Sequence, residues 1–297
     1  MVLITGASGF IGRHLLKTLI QQKGAANILV LASKPIDDCP YILHDNYEID
    51  SALFENRGLD DVTEVIHAGA FTPKKGSQAN DVVNCYANIR STHLLLQALP
   101  KSVERFILLS TLDVYGVTDQ SITEHSVISP SSLYGYSKYY CEKASESWAK
   151  ANDKVIQILR IGHVYGPGEE IYQKIIPETI KKLLRKDAPQ IWGKGEELRS
   201  FIYVEDVVKM IINALKIDIY SGPINIVSEN AIKINQLVQI LISISGLNIL
   251  PAYLPSVATP KNLVFDNFRM REILGGEHTT LQEGLTNEWN YMSNSFK

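Results

Sequence analysis

Tyr134 and Lys138 stand four residues apart in a segment whose apolar residues recur at helical spacing, so they share one face of a helix, one turn apart. A phenol with a pKa of about 10 is a poor acid or base at neutral pH, but an ammonium about 4 Å away stabilises the phenolate by up to about 4 kcal/mol at an effective dielectric near 20, about three pKa units. A tyrosine so tuned can give a proton to a carbonyl oxygen as hydride reaches its carbon, or take it back in reverse. Tyr139 and Lys143 repeat the spacing, but Tyr139 is turned about 140° around the helix from Tyr134. Tyr134 lies in the first turn, after Pro130 and a capping serine, Ser131 or Ser132, where a side chain can face the strand ends. Thr111 supplies a hydroxyl at the end of an apolar strand, where it could polarise the reacting oxygen, although most strand-end threonines serve structure.

The elements that must hold these residues alternate. Val2 to Thr5, Ile28 to Ala32, Val65 to Ala68, Phe106 to Ser110 and Ile156 to Arg160 read as strands, and Ile11 to Gln22, Ala79 to Leu99 and Leu133 to Ala151 read as helices. This is the pattern of βαβ units and a doubly wound, Rossmann-like parallel sheet in the α/β class. After residue 165 glycine and proline punctuate shorter elements, and Ile224 to Val227 reads as a further buried strand. The expected division is a dinucleotide-binding domain over 1–165, rejoined by about 202–228, with a smaller, mixed substrate-binding region over 166–201 and 229–297.

The first strand runs directly into Thr5-Gly6-Ala7-Ser8-Gly9-Phe10-Ile11-Gly12, which opens a helix. Glycine permits the tight turn and close approach of backbone to a diphosphate, and the helix N-terminus offers free N–H groups and a positive dipole end. Residues Gly6, Ser8, Gly9, Phe10, Ile11 and Gly12 are therefore the expected cofactor loop. Where the second strand ends, Ala32-Ser33-Lys34 brings no carboxylate for the ribose 2′-hydroxyl of NAD. Ser33, Lys34 and Arg13 could instead meet the 2′-phosphate of NADP, so NADP(H) is expected over NAD(H).

Composition narrows the partners. A net charge of −3 and a 45% hydrophobic content fit a large packed core and no nucleic-acid partner. The Lys181, Lys182, Arg185, Lys186 run has the spacing of a solvated helix face. Cys39, Cys85 and Cys141 form no CxxC pair, the N-terminus has no signal-like stretch, and the apolar Leu237 to Leu250 is interrupted by polar residues. No metal, no membrane and a cytoplasmic location are expected.

Together these motifs resemble the extended short-chain dehydrogenase/reductase family of nucleotide-sugar enzymes, over almost the whole chain. The resemblance implies Tyr134 as general acid and base, Lys138 as the residue that holds the nicotinamide ribose and tunes the tyrosine, and Thr111 as a substrate-oxygen ligand. It adds Ala68, Gly69 and Ala70 of His67-Ala68-Gly69-Ala70, and Asn88, to the cofactor set. Leu159-Arg160 leading to Val164-Tyr165-Gly166-Pro167-Gly168 resembles LRxxNVYGPG, with His163 in place of asparagine. Arg199, in Arg199-Ser200-Phe201, resembles the arginine that meets the substrate diphosphate, a natural task for a guanidinium fork. Thr72, Asp113, His163 and Arg199 are the implied substrate contacts, and a homodimer through the Asn88 and Tyr134 helices is implied as well.

Two departures bear on the reaction. Dehydratases resembling STDEVYG use two acids, whereas Leu112 fills the first acidic position here. The arginine that UDP-sugar epimerases carry near RxGD has no clear counterpart in 255–265. Net reduction of a 4-keto sugar linked to a nucleoside diphosphate is the favoured expectation, and a 4-epimerase with tightly bound NAD the runner-up. Reduction of an unrelated small carbonyl compound, and a non-catalytic NADP sensor, are the further alternatives.

Overall fold

The computed structural model describes residues 1–45, 47–49, 54, 61–116, 120–228, 230–256, 262–276 and 278–295. Of the segment 255–265 read for an arginine, residues 257–261 lie outside these. Seven strands, β1 (Val2–Thr5), β2 (Ile28–Ala32), β3 (Tyr41–Leu43), β4 (Glu64–His67), β5 (Arg105–Thr111), β6 (Val155–Ile161) and a later strand at Ile224–Ile226, form one sheet. Every pairing in it is parallel. Its order, starting from the late strand, is β6, β5, β4, β1, β2, β3.

The continuous apolar runs of these strands follow from burial on both faces. Val2 and Ile4 face one cluster with Leu15, Leu16 and Leu19 of α1 (Phe10–Lys23), while Leu3 between them faces the other with Leu95 and Leu96 of α2 (Val82–Ala98) and Cys141 of α3 (Leu133–Asn152). The period-two alternation of strand side chains thus divides one apolar run between two helical layers. Chain order reverses between β1 and β4, and the crevice at their carboxyl ends is where a doubly wound sheet takes its ligand.

The expected helix from Ala79 starts three residues later. Gly76–Asn80 forms a 3-10 turn, and the Asp81 carboxylate accepts the Asn84 N–H at 3.1 Å to cap α2 at Val82.

Beyond β6 the chain builds β7 (His163–Tyr165), α4 (Ile175–Leu184), β8 (Gln190–Trp192), β9 (Leu198–Tyr203) and α5 (Val204–Ala214). It then returns to the large sheet as β10, the Ile224–Ile226 strand, beside β6. β11 (Ala231–Lys233), α6 (Ile234–Ser245), β12 (Ala252–Leu254), α7 (Phe268–Leu274) and α8 (Leu281–Ser295) follow. β7, β9 and β11 make a second, mixed sheet, and β8 pairs with β12. Among the described residues no helix is long and apolar enough to cross a membrane, and no cluster of His, Cys, Asp and Glu could hold a metal ion.

Candidate active site

The glycine loop has a physical reason at each glycine. Gly6 takes φ +73, and a Cβ there would lie 2.6 Å from the Gly69 backbone, because the ends of β1 and β4 touch. A Cβ on Gly12 would lie 2.0 Å from the Gly6 carbonyl oxygen, so α1 rests directly on the loop. Gly9 caps α1 without a side-chain hydrogen bond, leaving the first-turn amides facing an anion position. Phe10 is buried behind the loop, Ile11 half-buried and Ser8 exposed at its tip. This cradle fits a dinucleotide diphosphate, with Ala68, Gly69 and Ala70 forming its β4 side and Ser33 and Lys34 exposed beyond β2.

Arg13 is placed differently from the sequence expectation. Its guanidinium donates to the Gly168 carbonyl at 3.2 Å, while His14 Nε2 meets the Pro167 carbonyl at 2.8 Å. Both tie α1 to the Pro167–Gly168 turn, so this placement gives no support to Arg13 as a partner of Ser33 and Lys34 on a ribose phosphate.

The candidate catalytic residues meet at the carboxyl end of β5. Ser132 accepts the Gly135 N–H at 3.2 Å and so caps α3 one residue before its first turn. Gly135 has no side chain because a Cβ there would sit 2.3 Å from the Asp113 carbonyl oxygen. This close approach, which the sequence reading missed, brings Tyr134 to the strand edge. The phenol is buried and hydrogen-bonds the hydroxyls of both Thr111 and Thr72. Thr72 is held there by Asn88, whose Oδ1 accepts the Phe71 N–H at 2.7 Å and whose amide donates to the Phe71 carbonyl at 3.1 Å. Asn88 thus acts on the loop after β4, fixing its neighbour Thr72.

Electrostatics at Tyr134 run against the sequence expectation. Burial, followed by the negative charge of Asp113, raises the phenol well above its ordinary value, and the two threonine hydrogen bonds only partly oppose this. Lys138, one turn on and itself buried, has its ammonium pushed down by burial. Its charge is felt at His67 and Cys141 instead. With these groups alone around it, Tyr134 is a neutral phenol at pH 7.

The wall opposite Tyr134 carries Asp113, His163 and Arg199. Asp113 is solvent-accessible, but the dense protein around it raises its carboxyl, against Lys174 and the Thr111 hydroxyl. His163 is pushed down to about 4 by burial first and then by the Lys174 and Arg199 charges, and its Nδ1 has no hydrogen-bond partner among the described residues. It is a neutral imidazole at pH 7. Arg199, on β9, is half-buried and donates to its neighbour's carbonyl, Leu198, at 2.8 Å. Lys174, which the sequence reading did not single out, joins these residues from the N-cap of α4: it pairs with Glu169 at 3.0 Å and lies 4.8 Å above the Tyr172 ring. A separate groove lined by Ile232, Asn235, Gln236, Gln239, Ile240 and Tyr253 contains none of these residues.

A family model described as the NAD dependent epimerase/dehydratase family matches residues 2–226. The chain belongs to that family. A Bacillus subtilis (strain 168) relative named an uncharacterized UDP-glucose epimerase is 29% identical over 100% of this chain and 99% of its own length. Among solved structures, the UDP-glucose 4-epimerase of Thermotoga maritima with UDP-glucose is 25% identical with a TM-score of 0.87, covering 100% of this chain and 99% of that one. The UDP-glucuronic acid 4-epimerase of Bacillus cereus, solved with UDP-glucuronic acid and NAD, is 26% identical with a TM-score of 0.84, covering 100% and 99%. Membership in the epimerase/dehydratase family makes this chain an NAD-dependent enzyme of nucleotide sugars.

Proposed function

We propose that the chain transfers a hydride reversibly at C4 of a hexose linked to a nucleoside diphosphate, and that its net reaction is 4-epimerisation on a retained nicotinamide cofactor. The observation that carries this reading is the buried Tyr134 phenol bonded to Thr111 and Thr72, one helical turn from Lys138. Resemblance to solved structures named as 4-epimerases, and to a relative named as a UDP-glucose epimerase, supports epimerisation over simple reduction.

Gly6, Gly9, Gly12 and the α1 amides would hold the dinucleotide diphosphate, and Lys138 its nicotinamide ribose. When bound, the nicotinamide accepts or returns the hydride. Thr111 and Thr72 orient the sugar oxygen and the phenol toward each other. As a phenolate, Tyr134 would receive the C4 hydroxyl proton when hydride leaves and, then neutral, would return it to the C4 oxygen when hydride comes back; the positive charge of an oxidised nicotinamide bound beside it would favour that phenolate. Arg199 would take the diphosphate of the substrate, and His163 and Asp113 the sugar hydroxyls. Elimination of water is not supported, because Leu112 at the first acidic position of the dehydratase pattern is buried in an apolar cluster with Val114 and Tyr115.

A second reading keeps its own observation. Exposed Ser33 and Lys34 at the end of β2, with no carboxylate beside them, favour NADP(H) and net reduction of a 4-keto sugar. Purified protein incubated with UDP-glucose and no added cofactor decides between them. Galactose-configured product by NMR supports epimerisation; its absence, with stoichiometric NADPH consumption on a 4-keto nucleotide sugar, supports the reductase.

The partner surface we propose is a second copy. Val82, Val83 and Tyr86 of α2 and Tyr136 and Tyr140 of α3 are exposed on two helices packed against each other, an apolar face suited to a homodimer. We place the enzyme in the cytoplasm, where the three free cysteines stay reduced.

A further inference from the structure

Beneath the crevice, on the face of the sheet that packs α2 and α3, Tyr47 reaches in from the loop after β3. Its hydroxyl hydrogen-bonds Thr5 and stands 1.9 Å from where a Cβ on Gly69 would be. An alanine at residue 69, as in the HxAA pattern that His67-Ala68-Gly69-Ala70 resembles, would therefore collide with Tyr47. The tyrosine hydroxyl occupies the volume that the glycine leaves.

Several features hold Tyr47 in place at a cost. Its φ of +57 is a left-handed conformation, strained for a residue with a bulky side chain. The Tyr47 N–H is satisfied by His44 Nδ1 at 3.0 Å, the two rings lie 4.2 Å apart, and the His44 N–H donates to the Ala32 carbonyl at the end of β2. Glu48 next to it pairs with Arg90 of α2 at 2.9 Å. The loop is thus pinned to β2 and α2 on either side of the crevice floor.

The Thr5 hydroxyl has one proton and two acceptor positions, and all three are used. It accepts the Gly69 N–H at 2.9 Å and the Tyr47 hydroxyl, and it donates to His67 Nδ1 at 2.7 Å. His67, held neutral by burial, then carries its proton on Nε2 and donates to Thr92 at 3.0 Å; the tautomer follows from the network. One chain of hydrogen bonds therefore joins Tyr47 to the last residue of β1, the strand end of β4 and α2. These are the backbones on which the dinucleotide must lie.

We propose that Tyr47 and Gly69 are a coupled positioning pair that sets the separation of the β1 and β4 ends, and with it the affinity for the dinucleotide, without touching the reacting atoms. The inference rests on the dinucleotide crevice of the preceding section. Tyr47→Phe removes the hydroxyl from the crowded volume and one bond from Thr5. Gly69→Ala drives a methyl into it.

Binding of NADH and NADPH is followed by reduced-nicotinamide fluorescence in a double-mutant cycle on the full chain, with kcat at saturating cofactor as the second readout. Gly69→Ala is expected to weaken binding of the preferred dinucleotide about tenfold or more, and Tyr47→Phe to weaken it about threefold with its kcat nearly unchanged. The double variant is expected to bind more tightly than Gly69→Ala alone, which is a coupling that distant or merely structural substitutions do not show. Rescue is incomplete because the added Cβ still lies 2.9 Å from Thr5 Oγ1. Additive losses would overturn the pair. If Gly69→Ala does not fold, Tyr47→Phe alone decides: weaker binding at constant kcat supports the proposal, and unchanged binding overturns it. A wild-type protein that binds neither dinucleotide would overturn the crevice reading and the pair together.

Discussion

Glu142 and Glu288 are both fully buried, yet one has every partner it needs and the other has almost none. Glu142 lies one turn past Lys138. It accepts from two of the Arg160 nitrogens, Nε and Nη2, at 3.0 and 2.7 Å, and from the Ser110 hydroxyl at 2.5 Å. Arg160 continues to the Tyr115 hydroxyl at 2.7 Å, and Tyr115 to Asn225 at 2.8 Å. This network links β5 next to Thr111, α3 below Lys138, β6 and β10, which are the elements behind the proposed catalytic residues. Glu288, on α8, approaches the Gly166 backbone without a completed hydrogen bond, and neither of its oxygens has a partner among the described residues. Neighbouring Glu169 spends one oxygen on Lys174 and leaves the other unpaired.

The difference separates two uses of buried acid. A carboxylate held by a bidentate arginine fixes register between elements. A carboxyl with another acid nearby and no donors keeps its proton instead, and burial together with the Glu169 charge raises Glu288 far above the ordinary carboxylate range.

Removing one partner of the satisfied network has the largest expected effect. Glu142→Ala leaves Arg160 buried without its acid and should cost about 3–5 kcal/mol, read as a lower urea midpoint with unchanged slope. A loss below about 1 kcal/mol would mean that the pair is not the anchor its geometry suggests.

Glu288→Gln should act in the opposite sense. Because the folded state raises this carboxyl above its ordinary 4.5, the folded protein holds a proton that the unfolded chain has released. The contribution of this group to stability is therefore fully present below pH 4.5 and is lost as pH rises through neutrality toward the raised value. The uncharged glutamine removes that slope, with a gain of about 1–3 kcal/mol at mildly alkaline pH. Melting temperature against pH for both proteins measures it. Parallel curves would show that Glu288 is ionised in the folded state.

The smallest change is at the cap that aims Tyr134. Ser132→Ala should lower stability by about 1 kcal/mol, and activity should fall by more than that loss predicts, since the capped turn carries the phenol. Thermal unfolding and kcat on one preparation compare the two.

Much of this site was legible in the chain. Gly6, Gly9 and Gly12 announce a tight strand-to-helix turn, and at Gly6 and Gly12 any side chain would run into backbone. Tyr134 and Lys138 share a face by helical geometry alone, and Ser132 caps the helix as its position before an apolar-periodic run suggests. What was hidden depends on pairs distant in sequence. The rise at Tyr134 comes from burial and from Asp113 on another element, so spacing to Lys138 gave the wrong sign. Arg13 turns to Gly168, far along the chain, and Asn88 clamps the loop that holds Thr72. Tyr47, Lys174 and Glu142 carry no local motif, and the motif that holds Arg160 does not name its partner. Each owes its place to the tertiary arrangement of elements distant in sequence.

The most direct test of the hydride-transfer account is near-ultraviolet absorbance of the purified, cofactor-loaded enzyme on mixing with UDP-glucose, compared between wild type and Tyr134→Phe. The account predicts a reduced-nicotinamide band in the wild type and its loss or slowing by about two to four orders of magnitude in the variant, with cofactor still bound. An equal band and equal rate in Tyr134→Phe would contradict it.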